Sequence, residues 1–166
     1  MPNDSAQILV IGVGNSYRGD DGVGPFIAQR LRENKLPETV AISEGRAGAS
    51  LMDTWLGASL VIIIDAMNSG DLPGKIRHFD ARREPLPKMF FPSTTHHFGV
   101  AEAVELARVL DRLPPSIIIY GIEGKSFEQG IGLSPEVLKA AKEIEGRVLR
   151  DIHDEVRTPI VPAGSG

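Results

Sequence analysis

The stretch "SLVIIIDAM", residues 59–67, restricts the fold of this chain more than any other, because it is apolar and β-branched without alternation. A strand with one solvated face alternates apolar and polar residues. A run with no polar position has no face to give to water, so it belongs inside a sheet covered by helices on both sides. The run closes on an acid, Asp65. A carboxylate ending five apolar residues costs stability unless it is paired, hydrogen-bonded or put to chemical use.

The remainder of the chain supplies what such a strand needs. Residues 7–11 form a second short apolar run closed by glycines, which reads as a buried strand. Val23, Ile27 and Leu31 then recur at four-residue steps with Phe26 beside them, the stripe of an amphipathic helix with Pro25 tolerated in its first turn. "TVAIS" reads as a strand, "GASLMDTWLG" as a short helix ended by Gly57, and the alternating "GKIRHFD" as an edge strand or hairpin arm. Residues 81–95 carry three prolines and no periodicity, so they form a long loop. Val100, Val104 and Ala107, with Leu106 and Leu110, mark a further helix, and "SIIIYGI" another buried strand. Ser134 and Pro135 open a final helix whose apolar stripe is Val137, Ala141, Ile144, Val148 and Ile152. Strands alternating with helices predict an α/β fold, a mostly parallel sheet with helices on both faces. At 166 residues this is one domain, expected over 1–157, with a disordered tail over 158–166.

Composition removes several functions. The net charge is −4 with no basic stripe, which argues against a nucleic-acid partner. Cysteine is absent, so disulfides, thiolate metal sites and a thiol nucleophile are excluded. The first residues lack the basic and apolar regions of a signal peptide, and no apolar stretch approaches a membrane span. The expectation is a soluble cytoplasmic protein with no membrane insertion.

In parallel α/β sheets, ligands bind where the strands end, and two glycine-rich segments reach that edge. In "IGVGNSYRGDDGVG" Gly12 and Gly14 fit a dinucleotide fingerprint, but Tyr17 stands where its third glycine belongs. The acids Asp20 and Asp21 before the helix would also repel a pyrophosphate. "GIEGKS" imitates the end of a phosphate loop, yet Ile119 replaces the required glycine and the helix starts only at Ser134. It reads as a surface loop, with Glu123 at the border of the site. What the edge does collect is acids and histidines. Asp20 and Asp21 follow the first strand, Glu44 the second, Asp65 the central one, and His96 and His97 precede a helix. Oxygen and imidazole ligands of this kind suit a borderline divalent metal such as zinc or nickel. One of Asp20 and Asp21 serves as an N-cap in this reading, and only one of the adjacent histidines faces the site. Glu44 is a salt-bridge partner for Arg46 or a rim residue, and His78 and His153 are solvated.

The segments "ILVIGVGNSYRGDDGVG", "VIIIDAMNSGD", "STTHHFGVAEAVELA" and "YGIEGKSFEQGIGLSPEV" resemble, in that order, successive motifs of the hydrogenase maturation endopeptidases, over roughly residues 8 to 150. The resemblance implies a three-layer α/β sandwich with a twisted sheet of about five strands. It implies removal of a carboxyl-terminal extension from the large-subunit precursor of a nickel–iron hydrogenase, after nickel has been inserted. The nickel is carried by the substrate, and no tightly bound cofactor is expected. By the same resemblance Asp21, Asp65 and His96 contact that metal and carry the catalytic site, Asp20 is left to cap the helix behind, and His97 is one imidazole more than the family pattern. No H-E-x-x-H helix, G-x-S-x-G elbow or cysteine offers another protease engine. Three rivals remain: a non-catalytic nucleotide or small-ligand module, a different metal-dependent amidase, and an inactive relative that chaperones the precursor.

Overall fold

A computed structural model describes residues 7–46, 48, 50–87 and 99–157. In chain order the elements are β1 (Ile8–Val13), a 3-10 turn (Gly19–Gly22), α1 (Val23–Arg32), β2 (Val40–Gly45), α2 (Leu51–Thr54), β3 (Leu60–Met67), β4 (Ile76–Asp80), α3 (Val100–Val109), β5 (Ser116–Glu123) and α4 (Pro135–Arg157). The five strands make one sheet in the order β2-β1-β3-β5-β4. All pairings are parallel except β4 with β5, so "GKIRHFD" is the antiparallel edge strand that its alternation predicts.

The unbroken apolar run takes the central place. From Leu60 to Ile64 every residue of β3 is at most 3% exposed, and the two faces diverge. Val61 and Ile63 enter a core with α2 and α3, while Ile62 and Ile64 enter a second core with α1 and α4. Fully burying a branched aliphatic side chain is worth roughly 1.5–3 kcal/mol, so a polar residue at any of these positions would forfeit one core or the other. The helical stripes fill the same layers. Val23, Ile27 and Leu31 of α1 and Val137, Ala141, Ile144, Val148 and Ile152 of α4 are all buried on one side of the sheet. On the other side Val100, Val104 and Ala107 of α3 are buried, whereas Leu110 lies just past the helix and is 48% exposed. α2 is a single turn that seats Trp55, whose indole N–H donates to the Arg112 carbonyl at 3.0 Å.

α1 approaches the sheet unusually closely. A Cβ at Gly12 would lie 2.2 Å from the Gly24 carbonyl oxygen, and one at Gly24 would lie 2.4 Å from the Val13 oxygen and 2.6 Å from the Ile64 oxygen. The start of α1 therefore rests backbone against backbone on the ends of β1 and β3. That contact draws the preceding turn over the carboxyl edge of the sheet.

The antiparallel edge strand also directs α3. β4 runs back toward the amino edge, with Asp80 level with Ile118, and β5 sets out from that edge at Ser116. Only residues 110–115 join α3 to β5, so α3 ends at the amino edge and begins toward the carboxyl edge. Its first residue is preceded by Gly99, whose N–H donates to Glu102 Oε1 at 2.8 Å. Residues 88–98, which include His96, His97 and the apolar Met89, Phe90 and Phe91, lie outside the described residues, as does the tail 158–166.

Candidate active site

Asp65 sits on β3 opposite Gly121 of β5, one residue beyond the Ile64 that pairs with Gly12 at the end of β1. It shares the parity of Val61 and Ile63, and so belongs to the face covered by α3. Asp21 arrives at the same edge from the 3-10 turn. Its backbone is pressed on β1's exit, where a Cβ at Gly14 would fall 1.9 Å from the Asp21 carbonyl oxygen. Its carboxylate accepts a hydrogen bond from the Asn15 N–H at 2.9 Å.

The charge of Asp21 reaches Asp65. Asp65 is raised well above its ordinary value, first by burial and then by the negative charge of Asp21, against which the Ala66 N–H at 2.9 Å offers only partial relief. Burial also raises Asp21, opposed by the Asn15 hydrogen bond and by the charges of Arg18 and Arg46. Two acids sharing a low-dielectric edge are costly when both are ionised. Such a pair gains strongly from a proton or a divalent ion. A raised carboxyl is not by itself diagnostic: burial also lifts Asp151 on α4, but that acid accepts a 2.5 Å hydrogen bond from the Tyr120 hydroxyl. Asp21 and Asp65 differ: among the described residues each accepts a single main-chain hydrogen bond. Among the described residues no third acid or histidine completes a metal-binding group with them.

The neighbouring acids do other work. Asp20 does not cap α1: Gly22 occupies the cap position and no side chain bonds there. Instead the Asp20 carboxylate, 1% exposed, accepts the N–H groups of Lys125 at 2.7 Å, Ser126 at 3.1 Å and Ser134 at 2.8 Å, together with the Ser134 hydroxyl at 2.9 Å. The amides of the phosphate-loop imitation "GIEGKS" are thus aimed at the protein's own aspartate. Glu123, expected beside the site, is buried and spends both oxygens on Ser69, accepting its N–H at 2.9 Å and its hydroxyl at 2.5 Å. Glu44 pairs with Arg32 of α1 rather than with Arg46. Gly22 is needed for room rather than for a sharp bend, since its φ is −83° and a Cβ would lie 2.9 Å from the Ser16 Cα. His78 and His153 are exposed as expected, and the His78 ring stands edge-on to Tyr120 at 5.1 Å. The local sequence gave no signal for the Asp20 contacts, because capping rules are local and these partners lie more than a hundred residues away.

This arrangement can be set beside known proteins. The family model described as hydrogenase maturation protease matches residues 25–151. The hydrogenase 2 maturation protease of Escherichia coli strain K12 is 32% identical over 135 residues, covering 79% of this chain and 81% of that protein. The solved structure of the hydrogenase maturating endopeptidase HybD from E. coli superimposes with a TM-score of 0.76 at 27% identity, covering 90% of this chain and 93% of that one. A nickel–iron hydrogenase maturation protease, HycI, from Thermococcus kodakarensis KOD1 shares the fold, with a TM-score of 0.70 at 22% identity over 90% of this chain and 94% of that one. Among the described residues no helix is long and apolar enough to cross a membrane. With an acid pair at the carboxyl edge of a five-stranded α/β sheet and both sequence and structure aligned over most of its length, this chain belongs to the hydrogenase maturation protease family, whose members are endopeptidases.

Proposed function

We propose that this chain removes the carboxyl-terminal extension of a nickel–iron hydrogenase large-subunit precursor in the cytoplasm, and that it recognises the precursor's inserted nickel through Asp21, Asp65 and His96. The observation that supports the reading is the placement of Asp21 and Asp65 at the sheet edge toward which α3 begins, both raised by burial and Asp65 further by the charge of Asp21. Two half-buried carboxyls at one edge are a receptor for a cation, and a cation that arrives with the substrate gates the reaction on nickel insertion. The sequence position of His96, just before α3, supports an imidazole as the third ligand.

In this reading the ion enters as part of the substrate, and its arrival displaces protons from the two acids. Coordination fixes the neighbouring peptide bond against the edge. Such positioning is worth on the order of 7–11 kcal/mol in the best intramolecular cases. Water then adds across the amide: its oxygen bonds to the carbonyl carbon, a carboxylate oxygen takes its proton, and the leaving nitrogen is protonated as the C–N bond breaks. The test is to incubate the protein with nickel-loaded and nickel-free precursor and to weigh the products. Shortening of the loaded form alone is expected, and it should disappear in Asp21→Asn, Asp65→Asn and His96→Ala. Normal processing by all three variants would overturn the assignment.

A further inference from the structure

Two large apolar side chains stand in water beside the Asp21 turn: Ile131 is 80% exposed and Tyr17 67%. Their loops are fastened to each other. The Gly19 N–H donates to the Gly130 carbonyl at 2.9 Å, and the Gly130 N–H donates to the Tyr17 carbonyl at 2.8 Å. Below them Asp20 grips Lys125, Ser126 and Ser134 through the four bonds already described. Ile131 stands between Gly130, φ +141°, and Gly132, φ +116°, backbone conformations that L side chains rarely adopt. Nothing packs within 4 Å of where a Cβ at either glycine would lie. Two glycine conformations and a pinned base therefore hold an isoleucine away from the protein, although neither core uses it.

Ile131 forms one wall of an apolar groove of about 550 Å³, floored by Pro25, Phe26, Leu133 and Leu138. Ser16, Gly19 and Gly22 also line it, and Gly22 directly follows Asp21, so the groove borders the turn that presents that acid. Apolar surface held open in this way marks a place where another molecule seats. A peptidase that must align one bond also needs a grip on the residues flanking it.

We infer that this groove is a docking subsite for the polypeptide substrate, and that it receives an apolar side chain from the segment flanking the bond that is cut. The inference rests on the peptidase reading above and deepens it by naming what the enzyme grips besides the ion. Substrate binding energy is gathered on the α1/α4 side of the turn, while the reacting bond lies at the sheet edge.

The experiment uses the full-length chain and nickel-loaded large-subunit precursor. Hydrogen exchange of the protein is followed with and without the precursor, and KM and kcat for processing are measured for wild type, Ile131→Ser and Ile131→Leu. Expected are slowed exchange over residues 14–22 and 127–133, a KM about tenfold higher in Ile131→Ser with kcat within twofold, and a wild-type KM in Ile131→Leu. Precursor that is processed with unchanged KM by Ile131→Ser, or without protection of these segments, overturns the groove and leaves the peptidase reading intact. Precursor that protects the groove but is never cut overturns the peptidase reading and leaves the groove. Absence of both binding and cutting overturns both, and sedimentation showing a dimer that Ile131→Ser dissociates overturns the groove as a substrate site.

Discussion

Asp20 and Asp21 are neighbours in one short turn, yet they live in opposite circumstances. Asp20 is sealed from solvent and has four donors pointed at its two oxygens. Asp21 has one main-chain donor and shares its surroundings with another acid. The first arrangement satisfies a buried charge and makes it structural; the second leaves a charge under-satisfied and keeps it available. The same division separates Glu123, consumed by Ser69, from Asp65, whose one donor among the described residues is the Ala66 amide. Burial of an acid therefore says little about its role until its donors are counted.

Substitutions can break that contrast in a graded way. The largest effect expected is on activity: Asp65→Asn should slow processing of nickel-loaded precursor by about 10²–10⁴-fold, as loss of a positioned acid–base group does, measured by mass spectrometry over time. Its folding should be unharmed. Next comes Asp20→Ala, which orphans three amides and a hydroxyl; about 3 kcal/mol of stability should vanish in urea unfolding, while Asp21→Asn stays within about 1 kcal/mol of wild type. Equal losses from both would erase the distinction drawn here. Smaller again is Glu123→Gln, for which about 1 kcal/mol is expected because an amide keeps one acceptor for Ser69 but loses the charge.

The finest test is the pH dependence. Asp65 and Asp21 are raised in the folded state, so the folded protein binds more protons than the unfolded chain between the ordinary carboxylate value and the raised ones. Stability contributed by these groups is therefore present at low pH and is lost as pH rises through that window. Asp65→Asn should remove this loss, so its advantage over wild type in urea midpoint should grow from about pH 4 upward and then level off. An advantage that shrinks with rising pH would mean that Asp65 is held ionised by a partner.

Much of this was legible in the residues themselves. An apolar run without alternation belongs inside a helix-covered sheet, and the four-residue stripes of α1 and α4 face that sheet. Asp65 was conspicuous because an acid at the end of such a run needs a reason. The sequence could not separate the two acids of the turn, since a local rule assigns Asp20 to the nearest helix end while its donors lie on the segment leading into α4, over a hundred residues away. The Arg46 pairing offered for Glu44 fails for a related reason: Arg46 is near it along the chain, but Arg32 is brought to it by the packing of α1 beside β2. Glu123 looked like a rim residue because only the fold reveals that Ser69 turns back to meet it. Long-range partners are set by topology, and periodicity reports only which face a residue takes.

The seating of α1 on the sheet through bare main chain has a consequence for how this protein can diverge. The placement of Asp21 is inherited from contacts among carbonyl oxygens and the glycines Gly12, Gly14 and Gly24, not from any particular set of core side chains. A single added methyl at one of those three positions has nowhere to go without shifting that main chain. The site is anchored in part by residues that have no side chain to lose.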